Sequence, residues 1–488
     1  MACHFKQRSA LSRIGGIIAF LVLQFARGVL AQSAPVSADR PWHSPSEQSI
    51  EAEARNVHDL RFAVDLAKTY SLPDLIDLAE SHNPETQVAW QRARSQAAAL
   101  GVAKSELYPT LAAAALSQTG RSEAFFGGQF YKQVTQNFGL ALELNYTIFD
   151  FGARSGRIDT STAQLLAANF AFNDTHRTLI YQVQLAYYRL LSAIGQEDAA
   201  HASLANAQAV QQAAEERLAN GLATLPDVLE ARSATAQAKY DLEAIIGAEE
   251  VARGDLATAV GASATAEISV QPLDELPTPE SIGDTVGQAI SRALVQRPDL
   301  LQQVARIRSA QGKVKEEKAE YYPSLRLTVS PSVPFLYGLQ QPSPWAFTSD
   351  LTGGVSLNLN WTVFDGGARK SRLAQAEANV HAEEADEKAK RNQITDEIWA
   401  AYSNLNTAFR QRQAAMVLLE SATQSYSAAL ESYNYGLRNL LDVTAGQRTL
   451  AQARSAEVLA RTQVLSALAE LAFRTGDSIR TSNMGPRP

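Results

Sequence analysis

The sequence contains a tandem duplication, and this feature limits the possible folds more than any other. Residues 146–157 (YTIFDFGARSGR) recur at 361–372 (WTVFDGGARKSR), with seven of the twelve positions identical. Equivalent residues are 214 positions apart before this segment and 215 apart from it onward, so one insertion separates the copies. The repeat is far longer than that of a solenoid protein, and it therefore predicts a two-fold pseudo-symmetric chain. Other equivalent pairs are Pro84/Pro298, Tyr108/Tyr322, Gly221/Gly436, Leu222/Leu437 and Asp227/Asp442.

Residues 1–31 have the pattern of a secretory signal peptide. Basic residues precede an apolar run at 14–25, and small residues precede Gln32. The run has about 12 residues, whereas a spanning helix needs about 20, so cleavage after Ala31 is favoured over a membrane anchor. The only cysteine, Cys3, lies upstream of the run, which excludes a lipoprotein signal and leaves the mature chain without a thiol.

The charge balance argues against nucleic acid as a partner. Removing residues 1–31 leaves 40 basic and 51 acidic residues, a net charge of −11. The seven histidines are scattered without metal-ligand spacing, and no nucleophile stands beside a recognisable base pattern. We therefore expect no enzyme activity, catalytic residue, metal site or cofactor. Because no apolar run of 18 residues follows the signal, a membrane crossing would have to use strands.

Each repeat contains a pair of predicted strands after a predicted helix. The first helix is expected over 72–107, with Pro84 at most bending it, and the first strands over 110–118 and 137–149. In the second repeat the strands are expected at 324–332 and 355–363. One strand alternates clearly, with an apolar face of Phe138, Leu140, Leu142, Leu144, Tyr146 and Ile148.

The alternating strands fit either a soluble sandwich or an outer-membrane barrel. Spans of about 10 residues, the secretory signal and the aromatic residues Tyr146 and Trp361 favour the barrel. Four strands in one chain would leave open sheet edges in lipid, so the barrel must be shared between several chains.

A long helical segment without proline follows each strand pair, at 152–220 and 367–435. Each ends at a glycine (Gly221, Gly436), and a second helix then returns to about Gly261 or Gly476. The predicted organisation is a leader at 32–71, repeats at 72–269 and 284–476, a linker at 270–283 and a disordered tail at 477–488. The junction residues Asp150, Gly152, Asp365 and Gly367 are expected to start the long helices, with the two aspartates as caps.

The paired Tyr-Pro, Phe-Asp-x-Gly and Gly-x5-Asp-Val motifs resemble those of the TolC-like outer-membrane efflux proteins. The resemblance covers about residues 72–476. It implies a mainly α-helical homotrimer with a shared 12-stranded β-barrel in the outer membrane and a helical tunnel in the periplasm. A periplasmic adaptor protein and an inner-membrane transporter are the implied partners, docking at the hairpin tips with Gly221, Leu222, Gly436 and Leu437.

The resemblance also implies a periplasmic gate. Asp227 would bond to Tyr433 and Arg438, and three copies of Asp442 would form an acidic ring at the entrance. Two family positions differ, because Ala445 replaces a second acid and Pro226 replaces a hydroxyl residue. Without the resemblance, Asp227 and Asp442 would be ordinary first-turn acids of helices.

The competing function is a secreted or envelope-bound coiled-coil scaffold, which explains the helices and the signal but leaves the amphipathic strands unexplained. For a duct, the sequence does not select among drugs, metals, siderophores or polypeptides as substrate.

Overall fold

The computed structural model describes residues 39, 47–55, 65, 68–276, 285–340 and 345–477. The predicted signal peptide lies outside these residues, as do 478–488 of the predicted tail and 277–283 of the predicted linker. The chain divides into two compact units, Met1–Arg61 and Phe62–Pro488. In the first unit, the described element is helix α1 (Glu47–Arg55), so this part of the predicted leader has regular structure.

The second unit begins with strand β1 (Thr69–Tyr70), which pairs in parallel with β4 (Ser269–Val270). Tyr70 is buried in the apolar core of the first repeat, so the predicted flexible leader ends before this residue. The β1–β4 pair brings the beginning and the end of the first repeat together.

The predicted helix over 72–107 is wrong in one respect, because it is two helices. Helix α2 (Leu72–His82) ends before Asn83, and α3 (Pro84–Ser105) begins directly after it. Asn83 is extended (φ −71°, ψ 128°), as the ring of a following proline requires, and its side chain caps α3. The second repeat has the same break at Arg297, between α6 (Val286–Gln296) and α7 (Pro298–Ala319).

The first pair of strands is longer than predicted. Strand β2 (Thr110–Phe126) pairs with β3 (Gln129–Phe149) along its whole length. Gly127 and Gly128 connect them with φ values of 59° and 83°, as a two-residue hairpin turn requires. The added residues are more polar than the predicted strand, which is why alternation did not reveal them.

The second pair of strands is interrupted. It forms β5 (Ser324–Val329), β6 (Ser332–Gln340), β7 (Ala346–Ser349) and β8 (Val355–Asn360). Both β5 and β6 pair with β3, β8 pairs with β5, and β7 pairs with β6. The sheet is thus four strands wide, as predicted, with a break at Pro331, which lacks an N–H group. The predicted strand 355–363 ends at Asn360, because its partner strand starts only at Ser324, after Pro323.

Four long helices extend from the sheet. Helices α4 (Ala153–Ala219) and α8 (Ala368–Asn434) have 67 residues each, which corresponds to about 100 Å. Helices α5 (Leu225–Ala259) and α9 (Leu440–Thr475) return antiparallel to them. The described part of the chain contains no helix with the length and apolarity needed to cross a membrane.

The buried faces of the long helices repeat every seven residues. Helix α4 buries one alanine per heptad and α8 buries their equivalents 215 positions later, a spacing that is typical of left-handed coiled coils. Alanine at these positions allows close approach of the partner helix. The two sets are Ala186, Ala193, Ala200, Ala207 and Ala214, and Ala401, Ala408, Ala415, Ala422 and Ala429.

Candidate functional site

The candidate site is the pair of hairpin tips at the end of the long helices. Gly221 and Gly436 have φ values of 71° and 76°, which a residue with a side chain adopts only with strain. Each tip has the hydrogen bond of a Schellman motif, which satisfies the last free carbonyls of the long helix. These bonds join the N–H of Leu222 to the carbonyl of Arg217 at 2.8 Å, and the N–H of Leu437 to the carbonyl of Ser432 at 2.8 Å.

The returning helices are capped in two different ways. The Asp227 carboxylate accepts from the Thr224 backbone N–H at 2.9 Å and from the Thr224 hydroxyl at 2.7 Å. In the second tip the side chain of Asn439 accepts from the backbone N–H of Asp442 at 3.0 Å. Asp227 therefore caps its own helix, whereas the carboxylate of Asp442 is bonded to no group among the described residues.

The carboxyl group of Asp227 is held in its charged form. The Thr224 hydroxyl makes the largest contribution to lowering the pKa of Asp227, followed by the Thr224 backbone N–H, and the charge of Arg217 acts in the same direction. An ionised acid in the first turn also interacts favourably with the helix dipole.

Arg217 joins the two tips, and sequence reasoning missed it. Its Nη1 donates to the carbonyl of Tyr433 at 2.7 Å and to that of Asn434 at 3.3 Å. Its guanidinium also lies over the Tyr433 ring, 4.6 Å from the centroid. A basic residue in the last turn of a helix was visible in the sequence, but its acceptors lie in the other repeat.

An apolar core lies above the tips and contains residues of both hairpins. Tyr433 belongs to this core and is only 4% exposed. Burial raises the pKa of its phenol, and its hydroxyl has no hydrogen-bond partner among the described residues. Val228 and Val443, which are equivalent residues of the two repeats, both pack in this core.

The predicted gate bonds are not present within one chain. The Asp227 carboxylate is bonded to Thr224, and neither Tyr433 nor Arg438 donates a hydrogen bond to it among the described residues. The physical reason is that the helix cap already uses this carboxylate, while the Tyr433 hydroxyl is turned into the core. Arg438 has no hydrogen bond or ion pair within the described part of the chain.

The outer surface of the tips is apolar. Leu222 is 68% exposed and Leu437 is 78% exposed, and Tyr435 lies beside Gly436 with its ring in solvent. Above the tips, a cleft of about 490 Å³ separates α5 from α9 and is lined mainly by Ala, Ser and Gln. The hairpin end therefore offers exposed apolar side chains next to an open groove.

The strand–helix junctions are built alike in both repeats. Asp150 accepts from the backbone N–H of Arg154 at 2.9 Å and from its side-chain Nε at 2.9 Å. Asp365 and Arg369 repeat this arrangement, at 2.9 and 3.0 Å. Gly152 and Gly367 precede the helices in left-handed conformations, with φ values of 100° and 90°.

The two arginines also fasten the strands to the helices. Arg154 donates to the carbonyls of Glu106 and Ile148, and Arg369 donates to those of Glu320 and Val363. Each junction thus connects the end of a short helix with the start of a long helix. The first also includes the end of β3, whereas Val363 in the second lies three residues after β8.

Comparison with known proteins relates this architecture to one family. A family model described as Outer membrane efflux protein matches residues 75–262 and 289–477. Protein CyaE of Bordetella pertussis is 26% identical over 422 residues, covering 86% of this chain and 86% of CyaE. The pyoverdine export outer membrane protein OpmQ of Pseudomonas aeruginosa is 24% identical over 465 residues, covering 93% of this chain and 95% of OpmQ.

Solved structures show the same fold. The outer-membrane channel OprN matches with a TM-score of 0.73 at 22% identity, covering 83% of this chain and 89% of that chain. The described chain, mainly helical with a smaller sheet, therefore has the architecture of these channels.

Proposed function

The chain belongs to the outer membrane efflux protein family, and we propose that it forms a passive outer-membrane duct of a tripartite export system. Members of this family are outer-membrane channels, and their helical part extends into the periplasm. The observation that carries the proposal is the combination of a four-strand-wide amphipathic sheet with helices of about 100 Å. As the family consists of channel proteins, we assign no catalytic activity to the chain.

We propose that three copies close the sheet into a 12-stranded barrel. Within the described chain, β2 pairs on one edge only, and so do β7 and β8. An open edge is unfavourable in lipid, where no water satisfies the backbone groups. The apolar face of β3 is also exposed in the single chain, with Leu140 64% exposed, and would be covered by outer-membrane lipid.

The long hairpins would form the periplasmic tunnel. Their end presents Leu222 and Leu437 on the glycine turns, and we propose that a periplasmic adaptor protein docks on these residues. An inner-membrane transporter would supply the energy, because the chain itself provides only a path and a gate.

We retain Asp227, Tyr433 and Arg438 as proposed gate residues and add Arg217. Since Asp227 and Tyr433 make no direct bond within a chain, the closed state would depend on Arg217 and on contacts of Arg438 with a neighbouring protomer. Three copies of Asp442 would form an acidic ring at the entrance and would attract cations. Ala445 stands where family members have a second acid, and Pro226 stands where they have a hydroxyl residue. The entrance of this chain therefore lacks these two polar groups.

In this proposal the inner-membrane transporter determines which substrate is exported. Relatives of similar identity carry names that point to different cargoes, namely pyoverdine export for OpmQ, cation efflux for CusC and antibiotic efflux for ArpC. One shared architecture is therefore compatible with several classes of substrate, and we assign none of them.

The test is single-channel conductance in planar bilayers, with the Tyr433→Phe/Arg438→Ser double variant beside the unmodified protein. A small, stable conductance that rises in the variant would support both the duct and the gate. A conductance that is the same in both proteins would support the duct but contradict the gate role of Tyr433 and Arg438. A well-folded preparation without any channel would overturn the duct and favour the coiled-coil scaffold.

A further inference from the structure

Phe151 occupies an unfavourable backbone conformation at the first strand–helix junction. Among the described residues it is the one non-glycine residue with a positive φ, 50°. The equivalent residue of the second repeat is Gly366, which adopts a φ of 67° without a β-carbon to clash. The first junction therefore keeps an aromatic ring where glycine would fit the backbone better.

A β-bulge places a second ring beside Phe151. Thr147 pairs with Arg326, but the next pair is Phe149 with Leu325, so Ile148 is the extra residue. Side chains of paired residues lie on the same face of the sheet. Because Leu325 and Leu327 share one face, the bulge brings Phe149 onto the apolar face instead of the polar face.

Three aromatic rings form a connected stack that begins at Phe149. Phe149 and Phe151 meet edge to face with centroids 4.6 Å apart, and Phe151 stacks on Tyr322 at 4.8 Å with an interplanar angle of 17°. The stack is not buried, since Phe149, Phe151 and Tyr322 are 52%, 45% and 56% exposed. Exposed stacked rings at the end of strands are typical of the interface between membrane and water.

Two lysines complete a cleft beside the rings. A cleft of about 300 Å³ is lined by Phe151, Tyr322, Val314, Lys315 and Lys318 with other residues of α7. The Lys315 ammonium donates to the Ser155 hydroxyl and to the Asp159 carboxylate, each at 2.7 Å.

Both lysines keep capacity for an anionic ligand. An ammonium group has three N–H donors, so Lys315 keeps one after bonding to Ser155 and Asp159. The Lys318 ammonium is 3.8 Å from the Glu377 carboxylate, close to the limit for an ion pair, and the two side chains are 59% and 50% exposed. The cleft thus combines an aromatic wall with two half-exposed ammonium groups, one of which is paired with Asp159.

The cleft lies away from the edges where neighbouring chains would join. It is lined by α7, by Phe151 between β3 and α4, and by Tyr322 between α7 and β5. Within the sheet, β3 and β5 are inner strands. Phe149, which contacts Phe151, lies on the apolar face of Tyr146, Leu325 and Leu327. Under the proposed function this face meets lipid, and the inference below rests on that function.

We infer that this cleft binds a membrane phospholipid, with the phosphate between the ammonium groups of Lys315 and Lys318. The headgroup would lie against Phe151 and Tyr322, and the acyl chains would follow the apolar face of β3 and β5. The rings explain why a strained Phe151 is kept. The second junction has Gly101 in place of Lys315 and Gly366 in place of Phe151, so each chain has one such site.

The binding test uses delipidated protein in detergent, titrated with dioleoylphosphatidylglycerol and followed by native mass spectrometry. The Lys315→Gln/Lys318→Gln variant should lower the affinity of the tightest site by about thirtyfold, at about 1 kcal/mol for each lysine. The Lys239→Gln/Lys388→Gln variant is the matched control, because it removes the same charge from exposed positions on the long helices and should bind as the unmodified protein does.

The Phe151→Gly variant is a second test of the same site in the lipid titration. It removes the ring and relaxes the backbone, so the chain should fold at least as well and bind the phospholipid more weakly. If Phe151→Gly and the lysine variant both bind the phospholipid as tightly as the unmodified protein does, the site is overturned. Displacement of the lipid by inorganic phosphate at equal concentration would identify a free-phosphate site instead and would also overturn it.

Single-channel conductance tests the duct independently of the lipid site. Channels that insert and conduct while both variants keep full lipid affinity would overturn the lipid site alone. Failure of the folded, unmodified protein to insert would overturn the duct.

Discussion

Arg217 and Tyr433 connect the two hairpin tips, although they are 216 positions apart in the chain. The guanidinium lies 4.6 Å from the centre of the tyrosine ring, and Nη1 donates to the tyrosine carbonyl at 2.7 Å. The same arginine therefore closes the end of α8 and covers a buried ring whose hydroxyl has no partner among the described residues.

We predict that Arg217→Ala loosens the tips. The loss of two charged hydrogen bonds, one of them long, and of one cation–π contact should lower the free energy of unfolding by about 1 to 3 kcal/mol. Since the two tips would no longer be joined, single-channel conductance should rise. Arg232→Ala is the control, because it removes only an exposed ion pair with Glu215. Equal conductance in the two variants would contradict the role of Arg217.

We predict that Asp299→Asn destabilises the region where the two repeats meet. Asp299 is 10% exposed and forms a bidentate pair with Arg297, which is 3% exposed. Removing the carboxylate takes away the bidentate partner of the buried Arg297 guanidinium, which keeps only its single bond to Glu397 at 2.8 Å among its carboxylate partners in the described chain, and should cost about 2 to 3 kcal/mol. Asp274→Asn, which breaks a pair whose carboxylate is 91% exposed, should cost less than about 1 kcal/mol. Guanidinium unfolding in detergent, followed by circular dichroism, compares the two.

The same carboxylate predicts a loss of stability in acid. Burial alone would raise the pKa of Asp299, but hydrogen bonds and charge from Arg297, with the charge of Arg177, hold it well below its usual range. A carboxyl with a depressed folded pKa stabilises the fold above its unfolded pKa, about 4, and this contribution is lost as the pH falls toward the folded pKa. Asp299→Asn should therefore lose less stability than the unmodified chain between pH 6 and pH 3. Parallel curves would show that other groups dominate.

We predict opposite effects of alanine at two helical glycines. A β-carbon at Gly312 would lie 2.6 Å from the Thr160 hydroxyl and 2.7 Å from the Thr160 backbone nitrogen. Gly312→Ala should push α7 away from α4 and destabilise the chain by about 1 to 3 kcal/mol. At Gly247 a β-carbon meets nothing within 4 Å, so Gly247→Ala should stabilise α5 by about 0.5 to 1 kcal/mol. Thermal unfolding measures both, and equal melting temperatures would contradict the packing argument.

We predict that the tip leucines matter for the partner and not for the fold. Leu222→Asp and Leu437→Asp change exposed side chains, so unfolding should shift by less than about 0.5 kcal/mol. If the tips dock an apolar surface of the adaptor, the double variant should lose co-purification with it while keeping conductance. Val251→Asp, at a 65% exposed position on α5, is the control. If the double variant still binds the adaptor as the unmodified protein does, the docking surface does not include the tip leucines.

The duplication made most of the architecture predictable. Two hairpins at equal spacing, the glycine turns and the sheet four strands wide follow from apolar periodicity and from the repeated motifs. The capping roles of Asp150 and Asp365 also followed from their position before the helices. These features depend on local chemistry, which a sequence shows directly.

The rest depends on contacts between distant segments. The acceptors of Arg217 lie in the other repeat, and nothing near Arg217 in the sequence indicates them. The left-handed backbone conformation of Phe151 was not predicted, because aromatic residues rarely adopt a positive φ. The break at Asn83 was underestimated, because the residue before a proline is pushed out of the helical region even inside an otherwise helical pattern.

The alanine spacing in α4 and α8 has a consequence for the reach of the protein. Insertion of one residue would rotate everything beyond it by about 100° and turn the later alanines away from their partner helices. Insertion of seven residues in each of the four long helices would restore the seam and lengthen the structure by about 10 Å. The distance that such a protein can bridge is therefore not continuously adjustable, and it changes in increments of about one nanometre.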